Sequence, residues 1–163
     1  MSLDKPFFVS GLPRSRTAWL SVFLDCHHEG MVGCDSLQEY KDKIKGSGDC
    51  LTTLSLIDVK LEFPDSKVIV IDSDVSKAAA FASKHYGIDI SYHLAKHKEI
   101  LDNIDCLHVN FNDIDKNLRK IWTYVRDEPY NDLRASRLKK LNIQIKNIDE
   151  CTLNESLARE LEL

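Results

Sequence analysis

A chain of 163 residues fits one domain with room for a sizeable core, and a composition that is 43% hydrophobic and 29% charged excludes the disordered, fibrous and membrane-embedded classes. A net charge of -4 excludes broad, salt-driven binding to a nucleic-acid backbone and leaves room only for a local basic cleft. No run of roughly 18 apolar residues is present to span a bilayer, and Met1 to Lys5 carries no charged-then-apolar leader pattern, so the expectation is a cytoplasmic protein without membrane attachment. Five scattered cysteines (Cys26, Cys34, Cys50, Cys106 and Cys151) contain no C-x-x-C pair, which points to free thiols rather than a disulfide framework or a zinc site.

In chain order, the apolar run of residues 6 to 10 predicts a buried strand, closed by Gly11 and Pro13. Thr17 to Leu24 predicts a helix whose Trp19, Leu20, Val22, Phe23 and Leu24 form a face for packing on a sheet. Between Cys26 and Cys34 a short strand and an irregular loop fit equally. Ser36 to Ile44 has helical polarity; Gly46 to Asp49 reads as a loop that doubles as the next N-cap, followed by a helix from about Leu51 to Phe63 that stops at Pro64. Lys67 to Asp72 holds four consecutive β-branched residues and predicts a central strand. Asp74 or Ser76 caps the next helix, which runs through Tyr86 to the stop signal Gly87.

Ser91 to Asn103 predicts a helix, Cys106 to Asn110 a strand, and Asp113 to Val125 another helix. Pro129 then breaks the chain before a basic helix from Asp132 to Leu141, a short extended piece from Asn142 to Lys146, and an acidic surface helix or frayed end from Asn154 to Leu163. Strands separated by helices of this length imply parallel pairing with right-handed crossovers. The predicted fold is therefore a single α/β domain over residues 1 to 163, a three-layer sandwich with a mainly parallel central sheet of the P-loop nucleoside-phosphate-binding type. Ligands of such sheets sit beyond the carboxyl ends of the strands, where Gly11 to Thr17 falls.

The segment Ser10-Gly-Leu-Pro-Arg-Ser-Arg-Thr-Ala-Trp19 carries the chemistry. A tight strand-to-helix loop aims backbone N–H groups at one point, and the helix dipole adds favourable potential there for an anion. Ser15 and Thr17 add hydroxyl donors, and Arg14 and Arg16 add forked positive charge suited to tetrahedral oxyanions. A Walker A pattern started at Gly11 would place Arg16 on its second Gly and Thr17 on its Lys, which disfavours a typical ATPase.

Pro13-Arg-Ser-Arg-Thr-Ala-Trp19 resembles the 5'-phosphosulfate loop of sulfotransferases, P-[KR]-S-G-T-x-W, and in particular short bacterial and phage-type relatives with P-R-S-R-T-A-W. The resemblance implies 3'-phosphoadenosine 5'-phosphosulfate as donor, with Gly11, Pro13, Arg14, Ser15, Arg16, Thr17 and Ala18 around its 5'-phosphate. It also implies Trp19 near the adenine, Arg14 as the catalytic cation and transfer of a sulfuryl group to a small hydroxyl acceptor. At the positions where the family holds the 3'-phosphate with Arg and Ser, this chain has Asp72 and Ala80, and the C-terminal R-K-G-x-x-G segment is absent. Arg134 and Arg137, three apart on one helical face, are candidates for a replacement phosphate clamp; a solvated basic face shared with Lys139 and Lys140 is the other reading. His28, or Glu29 beside it, is a candidate base for the acceptor hydroxyl, and the alternative is a polar connection. Trp19 reads equally as a core anchor. Asp72 and Asp74 keep open a small magnesium-dependent kinase, and the short chain keeps open a non-catalytic interaction protein. No metal-ligand spacing is present around Cys26, His27 and His28.

Overall fold

The structure, a computed structural model, describes residues 5–52 and 56–140. Five strands, β1 (Phe7–Gly11), β2 (His27–His28), β3 (Gly48–Leu51), β4 (Val68–Asp72) and β5 (Leu107–Asn110), form one parallel sheet in the order β2-β3-β1-β4-β5. Seven helices cover it: α1 (Thr17–Leu24), α2 (Leu37–Ile44), α3 (Leu56–Glu62), α4 (Val75–Tyr86), α5 (Ser91–Asp102), α6 (Leu118–Val125) and α7 (Asp132–Leu138). A 3-10 segment, Phe111–Lys116, follows β5.

Side chains alternate along the strands and divide the core in two, as a sheet buried on both faces requires. Phe7, Val9, Ile69, Ile71 and Val109 pack with Leu20, Phe23, Ile121, Trp122 and Leu138 from α1, α6 and α7. Phe8, Val68 and Val70 pack with Tyr40, Ile44, Val59, Ala78 and Leu94 from α2 to α5 on the other face. The strand carrying the arginine loop lies in the middle: β1 pairs with β3 on one side and β4 on the other. The β-branched run therefore forms the strand next to the centre, flanked by β1 and β5, and the central position belongs to β1.

Several expected elements recur, including α1 at its expected bounds, β1 one residue later than expected, α2 with Ser36 as its cap rather than its first residue, and α4 between Asp74 and Gly87. Others change. Gly48 to Leu51 is strand rather than cap and helix, because the Asp49 carboxylate is satisfied inside the protein by Gly30 N–H and by the Tyr40 hydroxyl at 2.8 Å. The helix expected from Asp113 to Val125 is split at Asn117, whose N–H and side-chain amide both bond Asp113 O. The basic helix ends at Leu138, and the pieces expected from Asn142 to Lys146 and from Asn154 to Leu163 lie outside the described residues.

Arg134 corrects the sequence expectation most sharply. Its side chain is 7% exposed and donates to the carbonyl oxygens of Phe23, at 2.9 Å, and Val22, at the C-terminal end of α1. A cation at a helix C-terminus meets the negative end of the dipole and two carbonyls of the last turn, so Arg134 docks α7 on α1 and does not clamp a phosphate. Replacement by methionine is expected to cost about 2–3 kcal/mol in urea unfolding, the worth of buried hydrogen bonds from a charged donor, while leaving anion binding at the other end of α1 unchanged.

Candidate anion and nucleotide site

The turn from β1 into α1 is tight because Gly11 permits it: a Cβ there would stand 2.9 Å from the Ser15 side chain and 3.0 Å from Ile71 O. Arg14 and Arg16 both lie in the left-handed region, at φ 70° and 61°. Non-glycine residues hold that conformation at a cost of roughly 1–2 kcal/mol each, and such strain collects at binding sites. Arg16 occupies the position where the resembled loop carries Gly, and its backbone adopts the conformation Gly would. Ser15 holds the turn together. Fully buried, its hydroxyl donates to Leu12 O at 2.5 Å and lies 2.9 Å from Ser73 Oγ, so this side chain closes the loop instead of meeting an anion.

No side chain caps α1. Its opening amides face a cleft of about 1020 Å3 at the carboxyl end of the sheet, lined by Pro13, Arg14, Arg16, Thr17 and Ala18. Neither guanidinium is turned away. Arg14 lies 4.4 Å over the Phe81 ring, and Arg16 lies 4.4 Å over Trp19 while pairing with Asp115 at 3.0 Å. Both ring contacts hold planar cations at the cleft. Trp19 is 2% exposed, stacked on Phe23, and donates from its indole N–H to Leu138 O at 3.0 Å. It is the core anchor, with no open face for a base to stack on.

His28 and Glu29 do return to the cleft, carried there because β2 pairs with β3. His28 Nε2 lies 3.3 Å from Thr17 Oγ1 in the first turn of α1. Its Nδ1 is buried without a hydrogen-bond partner. Burial pulls the His28 pKa below its ordinary value against the opposing charge of Glu29, which keeps the ring neutral at pH 7. Glu29 stands at φ 50°, is 7% exposed, and accepts from Thr52 N–H at 2.7 Å and Thr52 Oγ1 at 2.6 Å.

On the other side of the cleft the cations come from Lys139 and Lys140, just beyond α7, and from Lys77 on α4. Arg137 does not line it; in the last turn of α7, it gives way to the two lysines that follow the helix. Phe81 from α4, Thr52 after β3, and Asn112 and Asp115 from the 3-10 segment also reach the cleft and carried no sequence signal, since the sheet brings these separate parts of the chain together. Asp74 is spent on capping α4, accepting from Ser76 N–H at 2.8 Å, and Asp72 faces His108 at 3.1 Å. Among the described residues no cluster of three His, Cys, Asp or Glu is placed to hold a metal, and no helix is long and apolar enough to cross a membrane. Cys26, Cys34, Cys50 and Cys106 are free thiols.

No family model matches the sequence, and no curated protein matches it. A solved structure does: mouse sulfotransferase SULT7A1 complexed with PAP superposes with a TM-score of 0.57 over 88% of this chain and 69% of that one, at 13% sequence identity. The fold is sulfotransferase-like. At that identity the likeness is one of architecture, an α/β protein of the P-loop type with a parallel five-stranded sheet between helical layers.

The segment carrying His28 and Glu29 is pinned by Asp49, both of whose carboxylate oxygens accept from Gly30 N–H, at 3.0 and 2.9 Å. Burial raises the Asp49 pKa to about 6, against the hydrogen bonds from Tyr40 and Gly30 that lower it. A carboxyl whose folded pKa lies above its unfolded value is favoured while protonated, so stability falls as pH rises from about 4 to about 6, by roughly 3 kcal/mol at 1.36 kcal/mol per unit. Asp49→Asn, which keeps an acceptor and never ionises, is expected to remove this decline. Urea unfolding of both proteins at pH 4.5 and pH 7 measures it, with the variant gaining on wild type at the higher pH.

Proposed function

We propose that the protein is a sulfotransferase-like transferase. Residues 11 to 19 hold the phosphosulfate end of an adenosine phosphosulfate donor, and a sulfuryl group passes to a small hydroxyl acceptor. The observation that carries this reading is the uncapped start of α1 set between two guanidinium groups at the mouth of a cleft, on a sulfotransferase-like fold. The likeness to a structure holding PAP supports the nucleotide part. Of 3'-phosphoadenosine 5'-phosphosulfate, the donor the loop resemblance implies, the 5'-phosphosulfate end fits these residues: the amides of Thr17 and Ala18, with Arg14 and Arg16, are groups that satisfy its oxygens.

Bound there, the donor would supply the transferable sulfuryl group. Such transfer demands little covalent work from the protein and much positioning and charge neutralisation. Arg14 and Arg16 offset charge on the bridging and equatorial oxygens, with the helix dipole adding to them. Neutral His28 takes the acceptor proton at Nε2, the ring nitrogen beside Thr17. A magnesium-dependent kinase fits less well, because Asp74 is committed to its helix cap and Asp72 to His108.

Thermal shift tests the binding half. Inorganic sulfate and adenosine 5'-phosphosulfate should each raise the melting temperature, and Arg14→Ala should abolish most of the rise. A shift given only by ATP with magnesium would favour the kinase, and no shift with any of the three would remove the site. For the chemical half, release of labelled sulfuryl groups to a panel of small alcohols and phenols should fall by about 10²–10⁴ in His28→Gln while the sulfate-induced shift persists. Because the folded pKa of His28 is lowered, the base stays unprotonated to more acid pH than an ordinary histidine would, so the wild-type rate should fall only at a more acid pH than an ordinary histidine base would set.

A further inference from the structure

A second cavity, of about 300 Å3, opens beside the anion loop, and Pro13, Arg14 and Lys77 line both spaces. A molecule anchored at the loop reaches it without leaving the first. Its wall is formed by the ends of β4 and β5: Asp72, Ser73 and Asn110, with Asn112 from the 3-10 segment.

Asp72 is half-buried, and its Oδ1 lies 3.1 Å from His108 Nδ1, while His108 Nε2 lies 2.9 Å from Ile104 O. A ring with an acceptor oxygen at each nitrogen is best satisfied when both nitrogens carry hydrogen, so the arrangement favours the protonated form of His108 against Asp72. The His108 pKa is raised accordingly: burial alone would lower it, but the bond to Ile104 O and the bond and charge of Asp72 outweigh burial. The second oxygen, Oδ2, accepts no hydrogen bond from any described residue. Lys98, the other cation at this cavity, is drawn off by Asp102 at 2.5 Å. Apart from Arg14 and Lys77, which it shares with the first cleft, the cavity is walled by the carboxylates of Asp72 and Asp74, by the paired Lys98 and by neutral hydroxyl and amide groups. A sugar hydroxyl can donate to such a carboxylate; a phosphate, which at neutral pH only accepts, meets like charge. Nucleotide sites elsewhere divide the same way, with an acidic side chain on a free ribose hydroxyl and arginine where the ribose is phosphorylated.

We infer that this cavity takes the ribose of the nucleotide with its hydroxyls free, and that Asp72 selects against a ribose carrying a second phosphate. The ligand class is thus the nucleoside 5'-phosphate or 5'-phosphosulfate, and the doubly phosphorylated donor suggested by the loop is the disfavoured form. This inference rests on the nucleotide reading of the loop.

Isothermal titration of the whole chain with three probes tests it: adenosine 5'-monophosphate, adenosine 2',5'-bisphosphate and adenosine 3',5'-bisphosphate. Wild type should bind the monophosphate at least about tenfold tighter than either bisphosphate, and Asp72→Asn, which keeps an acceptor for His108, should shrink that gap to about twofold. Equal or tighter binding of a bisphosphate by wild type overturns the inference and leaves the nucleotide reading standing. An unchanged gap in Asp72→Asn also overturns it. If none of the three binds while sulfate still stabilises the fold, the nucleotide reading and this inference fall together.

Discussion

The turn from β1 into α1 sets the terms for the rest of the molecule, because it places two arginines in left-handed backbone conformations in order to leave one helix start bare. Each departure costs roughly 1–2 kcal/mol and must be over-determined by its surroundings. Ser15 supplies part of that constraint by bonding Leu12 within the turn and facing Ser73 after β4. Gly11 supplies more, since its missing Cβ lets Ser15 and Ile71 O close on the same point. With β1 in the middle of the sheet, the turn is braced by β3 and β4 on its two sides, and the cleft opens where the strand order reverses.

A chain with net charge -4 can still present a basic cleft because Arg14, Arg16, Lys77, Lys139 and Lys140 line it against only two carboxylates, Glu29 and Asp115, while other carboxylates nearby are engaged within the protein. Glu29 accepts from Thr52, Asp49 from Gly30 and Tyr40, Asp72 faces His108 and Asp74 caps α4. The same commitments give the cleft two characters. Its mouth is lined by Arg14, Arg16, Lys77, Lys139 and Lys140, whereas the smaller space beside Arg14 adds the carboxylates of Asp72 and Asp74 and a lysine, Lys98, that is paired with Asp102.

Where a segment's fate was decided locally, the sequence was legible. Four β-branched residues in a row made β4, the Asp74 cap and Gly87 stop framed α4, and the arginine loop marked the turn from strand into helix. The failures occurred where a distant partner decided. Asp49 read as a helix cap because an aspartate inside a strand lacks local satisfaction; its partners are 9 and 19 residues away, at Tyr40 and Gly30. Arg134 read as a clamp because helical spacing paired it with Arg137, yet packing of α7 on α1 sends it to the carbonyls of Phe23 and Val22. Trp19 was left open between core and ligand, and the hydrogen bond to Leu138, 119 positions away, puts it in the core. Nothing local marked Thr52, Lys77 or Asp115 as cleft residues; the parallel sheet gathers them by ending its strands at one edge.

Arg16 shows how the resting cleft stays ready for an anion. Its guanidinium is held between the face of Trp19 and the partly exposed carboxylate of Asp115. An ion pair open to solvent is worth at most about 1 kcal/mol, so Asp115 orients the arginine without binding it tightly. A ligand oxyanion that also meets the α1 amides and Arg14 gains several charge-assisted bonds for the one weak pair it displaces. The stacking on Trp19 need not be broken, because that contact uses the face of the guanidinium and an oxyanion uses its edge. Strain, stacking and a weak internal counter-ion together keep the second arginine aimed at the cleft before any ligand arrives.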